Sequence, residues 1–391
     1  MSSVIKRTLE DDYSNLVSPH YLAHCAIAPL GNSVSEAMRN EIQHFGAYAL
    51  KDYGRIATQR SDTKTILARL FGGTAANYAF IPNTSFGINQ IAHAIQWRNG
   101  DRIVLFEHEF PTNIRPWLNV AQRNELMVHW LSINPTDQKE VINLERLEAI
   151  LKKGVRLVSM SAVQFQSGVR MPIEEVSRLC KQYDALFCVD AIQACGSMPF
   201  DGTNLDFWVC GGHKWMLGPE GTGFLYINEK RLPSLSPAFL GWLSLEDPLN
   251  FLFDGPGKLE YHRPLASTAN RFELGTHNTI GLAGLKQACL NLEQLGFQHV
   301  FTTIQDYHDK IELRLIDLGF QSLRSPILER RSGILSVKPP SGCALQTFVA
   351  AATQAGVVVT APEGHLRIAP HFWNSTSQID SVVDVFRSIL S

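Results

Sequence analysis

Several common classes are closed to this chain by what it lacks. Its seven cysteines, at positions 25, 180, 188, 195, 210, 289 and 343, include no CxxC pair. No zinc knuckle or dithiol motif is therefore written into it, no metal site is expected, and an odd number of scattered thiols suits a reduced core. No apolar run approaches the ~20 residues of a membrane-spanning helix. Neither sign of charge dominates: 35 Lys and Arg against 37 Asp and Glu leave a formal net charge of −2. That gives no electrostatic footprint for nucleic acid or an anionic membrane, and neither is an expected partner. There is no P-loop and no GxGxxG; the stretch from Gly218 to Gly223 reads GxxGxG and leads into a strand, which is not a dinucleotide fingerprint. No internal repeat or low-complexity segment stands out. The opening MSSVIKRTLEDDYSN has no apolar h-region of a secretory signal, so the cytoplasm is the expected location.

What is present is a chain of 391 residues, long enough for a large core and two domains. It is organised around Ala185 to Asn228. Three short apolar runs bounded by turn residues, Leu186–Asp190, Asp206–Cys210 and Thr222–Asn228, read as buried strands. The first ends at Asp190, with Gln193 three residues on. The second runs through Gly211 and Gly212 into His213 and Lys214, then into a Gly218-Pro219-Glu220-Gly221 turn. An Asp at one strand end and a Lys just past the next point to a ligand crevice at the edge of an α/β sheet. A lysine on a glycine-flexed turn can lose its charge when desolvated and then form a Schiff base. A carboxylate at a strand end can keep a pyridine nitrogen protonated. Singly, the lysine reads as a surface residue and the Asp as a helix cap. The order and spacing of the set carry the chemistry.

The set Asp190-Ala191-x-Gln193, Asp206-Phe207, His213-Lys214-Trp215 and Gly218-Pro219-x-Gly221-x-Gly223 closely resembles the class V aminotransferases. These are pyridoxal-phosphate enzymes of fold type I, and they include cysteine desulfurases, cystine lyases, isopenicillin N epimerase and kynureninase. The resemblance spans nearly the whole chain. It implies an α/β fold with a mostly parallel seven-stranded sheet, helices on both faces, and a smaller C-terminal α+β domain. The expected division is a large cofactor-binding domain over 16–265 and a small domain over 266–391, with an arm over 1–15 packing near the latter.

The rest of the chain fits this frame. Met38, Ile42, Phe45 and Ala49 form one apolar stripe, expected to pack into the core. Ser61 is placed to cap a second helix carrying Ile66, Leu67, Leu70 and Phe71. A strand over Asn77–Pro82 meets Asn83-Thr84-Ser85 at the start of a helix, which reads either as a plain cap or as an anion site. The resemblance makes Thr84 and Ser85 phosphate ligands. Further strands are expected at Arg102–Glu107, Met127–Leu131 and Val155–Ser161, with a helix at Leu144–Leu151. Phe110, in Phe110-Pro111-Thr112-Asn113, resembles the kynureninase version of the loop that stacks on the cofactor, where desulfurases use a His. Gln164 is a candidate contact to cofactor or substrate, and Gln193 to the ring hydroxyl. His213 would bond the phosphate or shape the lysine turn. Residues 230–275 are loop-rich and end in Arg271-Phe272-Glu273-Leu274-Gly275-Thr276, like the family segment whose Thr reaches the phosphate of the partner subunit. Thr276 is thus expected to act in trans, in a homodimer with active sites at the interface. In the C-terminal part, Arg367 stands where the family grips the substrate α-carboxylate. Residues 1–30 read as an irregular arm, of a kind that lines the substrate pocket in the family, and in it His24 is a substrate-site candidate whose plainer reading is a satisfied, semi-buried histidine.

The resemblance implies an enzyme that acts on an L-amino acid through a Lys214 Schiff base and Cα deprotonation. Transamination, C–S cleavage and epimerisation share these residues, and a catalytically idle scaffold dimer is the alternative outside enzymology. Two departures stand out. Gly211 occupies a position where the family often has a Ser or Thr phosphate ligand. No cysteine lies in the run Val357 to His365 before Arg367, which argues against a persulfide-forming desulfurase.

Overall fold

A computed structural model describes residues 9–135 and 140–391. The arm supplies a short strand, β1 (His20–Tyr21). The central sheet takes β2 (Tyr78–Ile81), β3 (Arg102–Phe106), β4 (Met127–Leu131), β5 (Leu157–Ser161), β6 (Leu186–Asp190), β7 (Phe207–Gly211) and β8 (Gly223–Ile227). Their order is β2-β8-β7-β6-β5-β3-β4. Only β8 runs against its neighbours β2 and β7; the other pairings are parallel. This is the expected seven-stranded, mostly parallel sheet.

Every residue of β5, β6, β7 and β8 is buried, as a sheet covered on both faces requires. Alternate side chains feed two cores. Phe187, Val189, Trp208 and Cys210 join one face, and Leu186, Cys188, Phe207 and Val209 the other. The strand order reverses between β3 and β5, so the C-terminal ends of the neighbouring strands flank a switch point where such sheets open a crevice.

The C-terminal part builds a second layer. β9 (Gln321–Ser322), β10 (Leu335–Lys338) and β12 (Leu366–Ile368) form an antiparallel sheet, and β1 pairs in parallel with β11 (Val357–Val358). Their apolar sides meet the helices Phe297–Asp317, Leu345–Gln354 and Ile379–Leu390 in a third core. The arm ties the layers together. Leu22 N–H donates to Val358 O at 2.9 Å, Ala369 N–H to Leu22 O at 2.8 Å, and Ala28 N–H to His213 O at 2.8 Å.

Two helical expectations are corrected. The first helix, Asn32–Tyr48, does not bury the stripe through Ile42 and Phe45, which are 53% and 47% exposed. It buries Val34 and Glu41 instead, a face turned by one residue. Glu41 is tolerated there because Arg55 binds both of its carboxylate oxygens, at 2.8 and 2.9 Å. The second helix spans Tyr53–Phe71, so Ser61 lies in mid-helix and caps nothing. Among the described residues no helix is long and apolar enough to cross a membrane.

Candidate active site

The strand ends, the N-terminus of the helix Thr84–Ala94, the arm and β12 enclose one cavity of about 470 Å³. It brings together Thr84, Ser85, Phe110, Asp190, Gln193, His213, Lys214 and Arg367. Eight of the expected site residues thus converge from five separate stretches of chain.

Asp190 is 3% exposed at the end of β6, and its Oδ1 accepts Ile192 N–H at 3.0 Å. Burial pushes its carboxyl up to about 6, against the pull of that hydrogen bond and of the Lys214 charge. Lys214 follows β7. Burial lowers its ammonium pKa, Asp190 partly offsets this, and the Arg367 charge adds to the lowering. A desolvated amine beside a second cation is poised to be a nucleophile and a base. His213 is shifted down by burial and then by Lys214. A Cβ at Gly211 would stand 3.1 Å from the His213 ring, so the glycine that departs from the family pattern is what admits this imidazole. Gln193 lines the cavity with its amide largely committed: Trp215 Nε1 donates to its Oε1 at 2.8 Å, and its Nε2 donates to Cys25 O at 2.9 Å.

Opposite, Asn83 caps its helix by accepting Phe86 N–H at 2.9 Å, and the first-turn N–H groups beside it open on the cavity. Thr84 Oγ1 is buried with no hydrogen-bond partner. An orphaned hydroxyl at a helix N-terminus is a seat for an anion such as phosphate. Ser85 Oγ pairs with Thr112 Oγ1 at 2.7 Å. The Phe110 ring lies 5.7 Å from Lys214 Nζ and edge-on to Phe165, with centroids 5.2 Å apart. A flat ring, a carboxylate, an amine and an anion seat around one cavity fit a phosphorylated pyridine aldehyde.

Arg367 on β12 is 6% exposed. Its Nε donates to Thr360 Oγ1 at 3.1 Å and its Nη1 to Phe165 O at 2.7 Å. Both acceptors are neutral, and among the described residues no carboxylate pairs with it.

Three expected residues lie elsewhere. His24 is fully buried, donating from Nδ1 to Ala369 O at 2.7 Å and packed edge-on to Trp373, while its Nε2 is buried without a hydrogen-bond partner among the described residues. Gln164 folds back on its own loop: Nε2 donates to His108 O, and Oε1 accepts from Gln166 N, Ser167 N and Ser167 Oγ. It faces a smaller neighbouring pocket, with His108 and His365. Thr276 lines a separate cavity with Phe80, Pro82 and Asn278, outside the active cavity of its own chain.

Two residues went unread in the sequence. Cys25 is the one cysteine on the cavity wall, with Sγ 3.8 Å from Thr360 Oγ1. Glu109 is 8% exposed and accepts the N–H of Ser161 at 2.6 Å and also its hydroxyl. The Glu before Phe110 was the only available signal, and burial cannot be seen in a single letter.

The geometry can be set beside known proteins. A family model described as aminotransferase class-V matches residues 20–376. A probable cysteine desulfurase from Pyrococcus abyssi is 28% identical over 308 residues, 76% of this chain and 71% of that protein. One from Borreliella burgdorferi is 28% identical over 338 residues, 79% and 76% of the two chains. Among solved structures, the apo cysteine desulfurase of Thermococcus onnurineus NA1 superposes with a TM-score of 0.86 at 23% identity, covering 98% of each chain. A cystine C–S lyase in complex with its product cysteine persulfide gives 0.84 at 20% identity, covering 96% of this chain and 99% of that one. At these identities the structural likeness establishes the fold. The family follows from the match along the sequence: this chain is an enzyme of the class V aminotransferase family, whose cofactor is pyridoxal phosphate.

Proposed function

We propose that the enzyme breaks the Cβ–S bond of a cysteine-type L-amino acid, beginning with removal of the Cα proton by Lys214. The observation that carries an amino-acid substrate is Arg367. A buried guanidinium held only by neutral acceptors is short of an anion, and it shares the cavity with Lys214. A substrate α-carboxylate supplies that anion and fixes Cα near the lysine amine. The choice of sulfur chemistry over amino transfer is supported by the names of the relatives, cysteine desulfurases.

Bound pyridoxal phosphate supplies an electron sink that lets a Cα–H bond ionise. Asp190 would hold its ring nitrogen, Thr84, Ser85 and the free helix N–H groups its phosphate, and Phe110 its ring face. Lys214 offers the amine for attachment, and burial lowers its pKa, which favours the neutral amine that acts as a base. Arg367 orients the substrate. Phe110, Phe165 and Ile27 give the cavity its apolar wall.

Cys25 favours a second reading, in which its thiol takes the substrate sulfur. The Cβ–S bond then breaks with its electron pair left on Cβ, alanine leaves, and a persulfide stays on the protein. A homodimer is also proposed, with Thr276 acting on the partner's cofactor. Its support is the apolar face of Ile42, Phe45, Tyr48 and Leu50, each 47% exposed or more.

The test is to load the protein with pyridoxal phosphate and offer a panel of amino acids, cysteine and cystine included, without an oxo-acid acceptor. Catalytic sulfide, ammonia and pyruvate from cysteine support the lyase reading. Alanine with sulfur retained on Cys25 supports the second. A single equivalent of oxo acid, then arrest, makes the enzyme an aminotransferase and overturns both.

A further inference from the structure

Behind the cofactor-facing ends of the sheet sits a second buried carboxylate. Glu109 follows β3, and its two oxygens take the N–H and hydroxyl of Ser161. Ser161 is the last residue of β5, lines the cavity, and is the register partner of Asp190 on β6. Two buried carboxylates therefore stand on either side of one strand end. No cation pairs with Glu109 among the described residues. The charged group that its surroundings present is Asp190; Ser161 and Asn113 are the polar neighbours. Lys214 lies on the far side, against Asp190.

Two like charges this close and this dry oppose each other's ionisation. Burial raises the Glu109 carboxyl to about 7, and the Asp190 charge works in the same direction. Burial also raises Asp190, to about 6. The pair as it stands thus keeps a proton that two free carboxylates would not. A cation placed against Asp190 changes this balance, because it offsets the negative charge that Glu109 feels.

We infer that Glu109 and Asp190 act as one carboxylate pair, in which Glu109 gives up its proton when the cofactor's protonated ring nitrogen settles against Asp190. Glu109 is a positioning residue: it touches neither cofactor nor substrate and acts through Asp190 and Ser161. Its consequence is a cofactor affinity that rises with pH. Binding releases a proton between the bound-state pKa of Glu109 and its higher ligand-free value, and through that window affinity gains up to about tenfold per unit rise in pH. Above about pH 7 the gain ends, and with it the difference in protons released between proteins with and without the carboxyl. The inference rests on the reading that Asp190 faces the ring nitrogen.

The test uses Lys214→Ala, which removes the lysine's own titration and leaves non-covalent binding. Pyridoxal phosphate is titrated into Lys214→Ala and into Lys214→Ala/Glu109→Gln by calorimetry, in two buffers of different ionisation heat, from pH 6 to 8.5. Free ligand and buffer are common to both proteins, so the difference in protons released belongs to Glu109. We expect an extra release of a substantial fraction of one proton near pH 6.5 in the protein that keeps Glu109, vanishing by pH 8.5. Equal proton counts in the two proteins overturn the inference and leave the proposed function standing. Failure of both proteins to bind pyridoxal phosphate at all overturns the two together. Should the double variant not fold, Lys214→Ala/Ser161→Ala serves instead. Losing the hydroxyl donor moves the release to higher pH, and an unmoved profile overturns the pairing.

Discussion

Buried cations in this molecule are treated in two opposite ways. Lys64 is anchored to Glu273 at 2.7 Å and to Asn270 Oδ1 at 2.5 Å. Glu273 in turn accepts Phe80 N–H at 2.8 Å and meets His277 at 3.0 Å. Burial works to raise the Glu273 carboxyl, but Lys64 and His277 outweigh it and hold the group down at about 2. That cluster is closed: the Lys64 charge meets the Glu273 carboxylate, and both oxygens of that carboxylate have donors. Lys214 and Arg367 are buried just as deliberately, yet Arg367 meets only neutral oxygens and the amine of Lys214 is pushed towards its neutral form. A fold that closes one charge cluster and leaves another open is holding the second for a ligand. The difference marks where chemistry happens more sharply than the amount of buried charge does.

The comparison breaks most visibly at Lys214. Lys214→Ala removes both the attachment point and the proposed base, and turnover with cysteine is expected to fall by about 10³-fold or more. Thermal stability should hold or rise, since a buried charge at a functional site is lost. A protein that keeps its turnover would place the chemistry elsewhere. The closed cluster should respond in the opposite sense. Glu273→Gln leaves Lys64 buried without a counter-charge and should cost about 3–5 kcal/mol of stability, read from urea unfolding. Its pH dependence is equally specific. The native pKa of Glu273 lies below its ordinary value of 4.5, so its stabilisation is complete above about 4.5 and is lost as pH falls towards about 2. Glu273→Gln should lose that part of the acid transition. Arg367→Ala sharpens the contrast at smaller amplitude. Removing a carboxylate grip costs about 1.5–3 kcal/mol, which should appear as a KM raised about 10- to 100-fold for cysteine with little change in stability. A stability loss as large as that of Glu273→Gln would mean that Arg367 is structural after all.

The same contrast explains what could be read beforehand. The strand Leu186–Asp190 and the helix Leu144–Leu151 fall where their apolar patterns put them, because a buried strand or a short amphipathic helix writes its environment into consecutive letters. The first helix departs from its pattern because only Met38 of the apolar stripe packs, against Gly284 of the helix Thr279–Leu295, while Ile42 and Phe45 face outwards; which side of a helix packs is settled by the partner. Lys214, Asp190 and Arg367 were legible as members of a family pattern. Glu109 and Cys25 were not, since each acquires its meaning only when distant segments close around it. Gln164 and His24 followed from the family resemblance, and in three dimensions Gln164 Nε2 donates to His108 O and His24 Nδ1 to Ala369 O.

The most direct measurement is chemical. The protein loaded with pyridoxal phosphate is reduced with borohydride, which fixes a lysine-bound cofactor permanently, and is then digested and mapped by mass. The account predicts a single modified residue, Lys214, in the segment from Gly211 to Gly218. Modification at another lysine, or none at all, would contradict it.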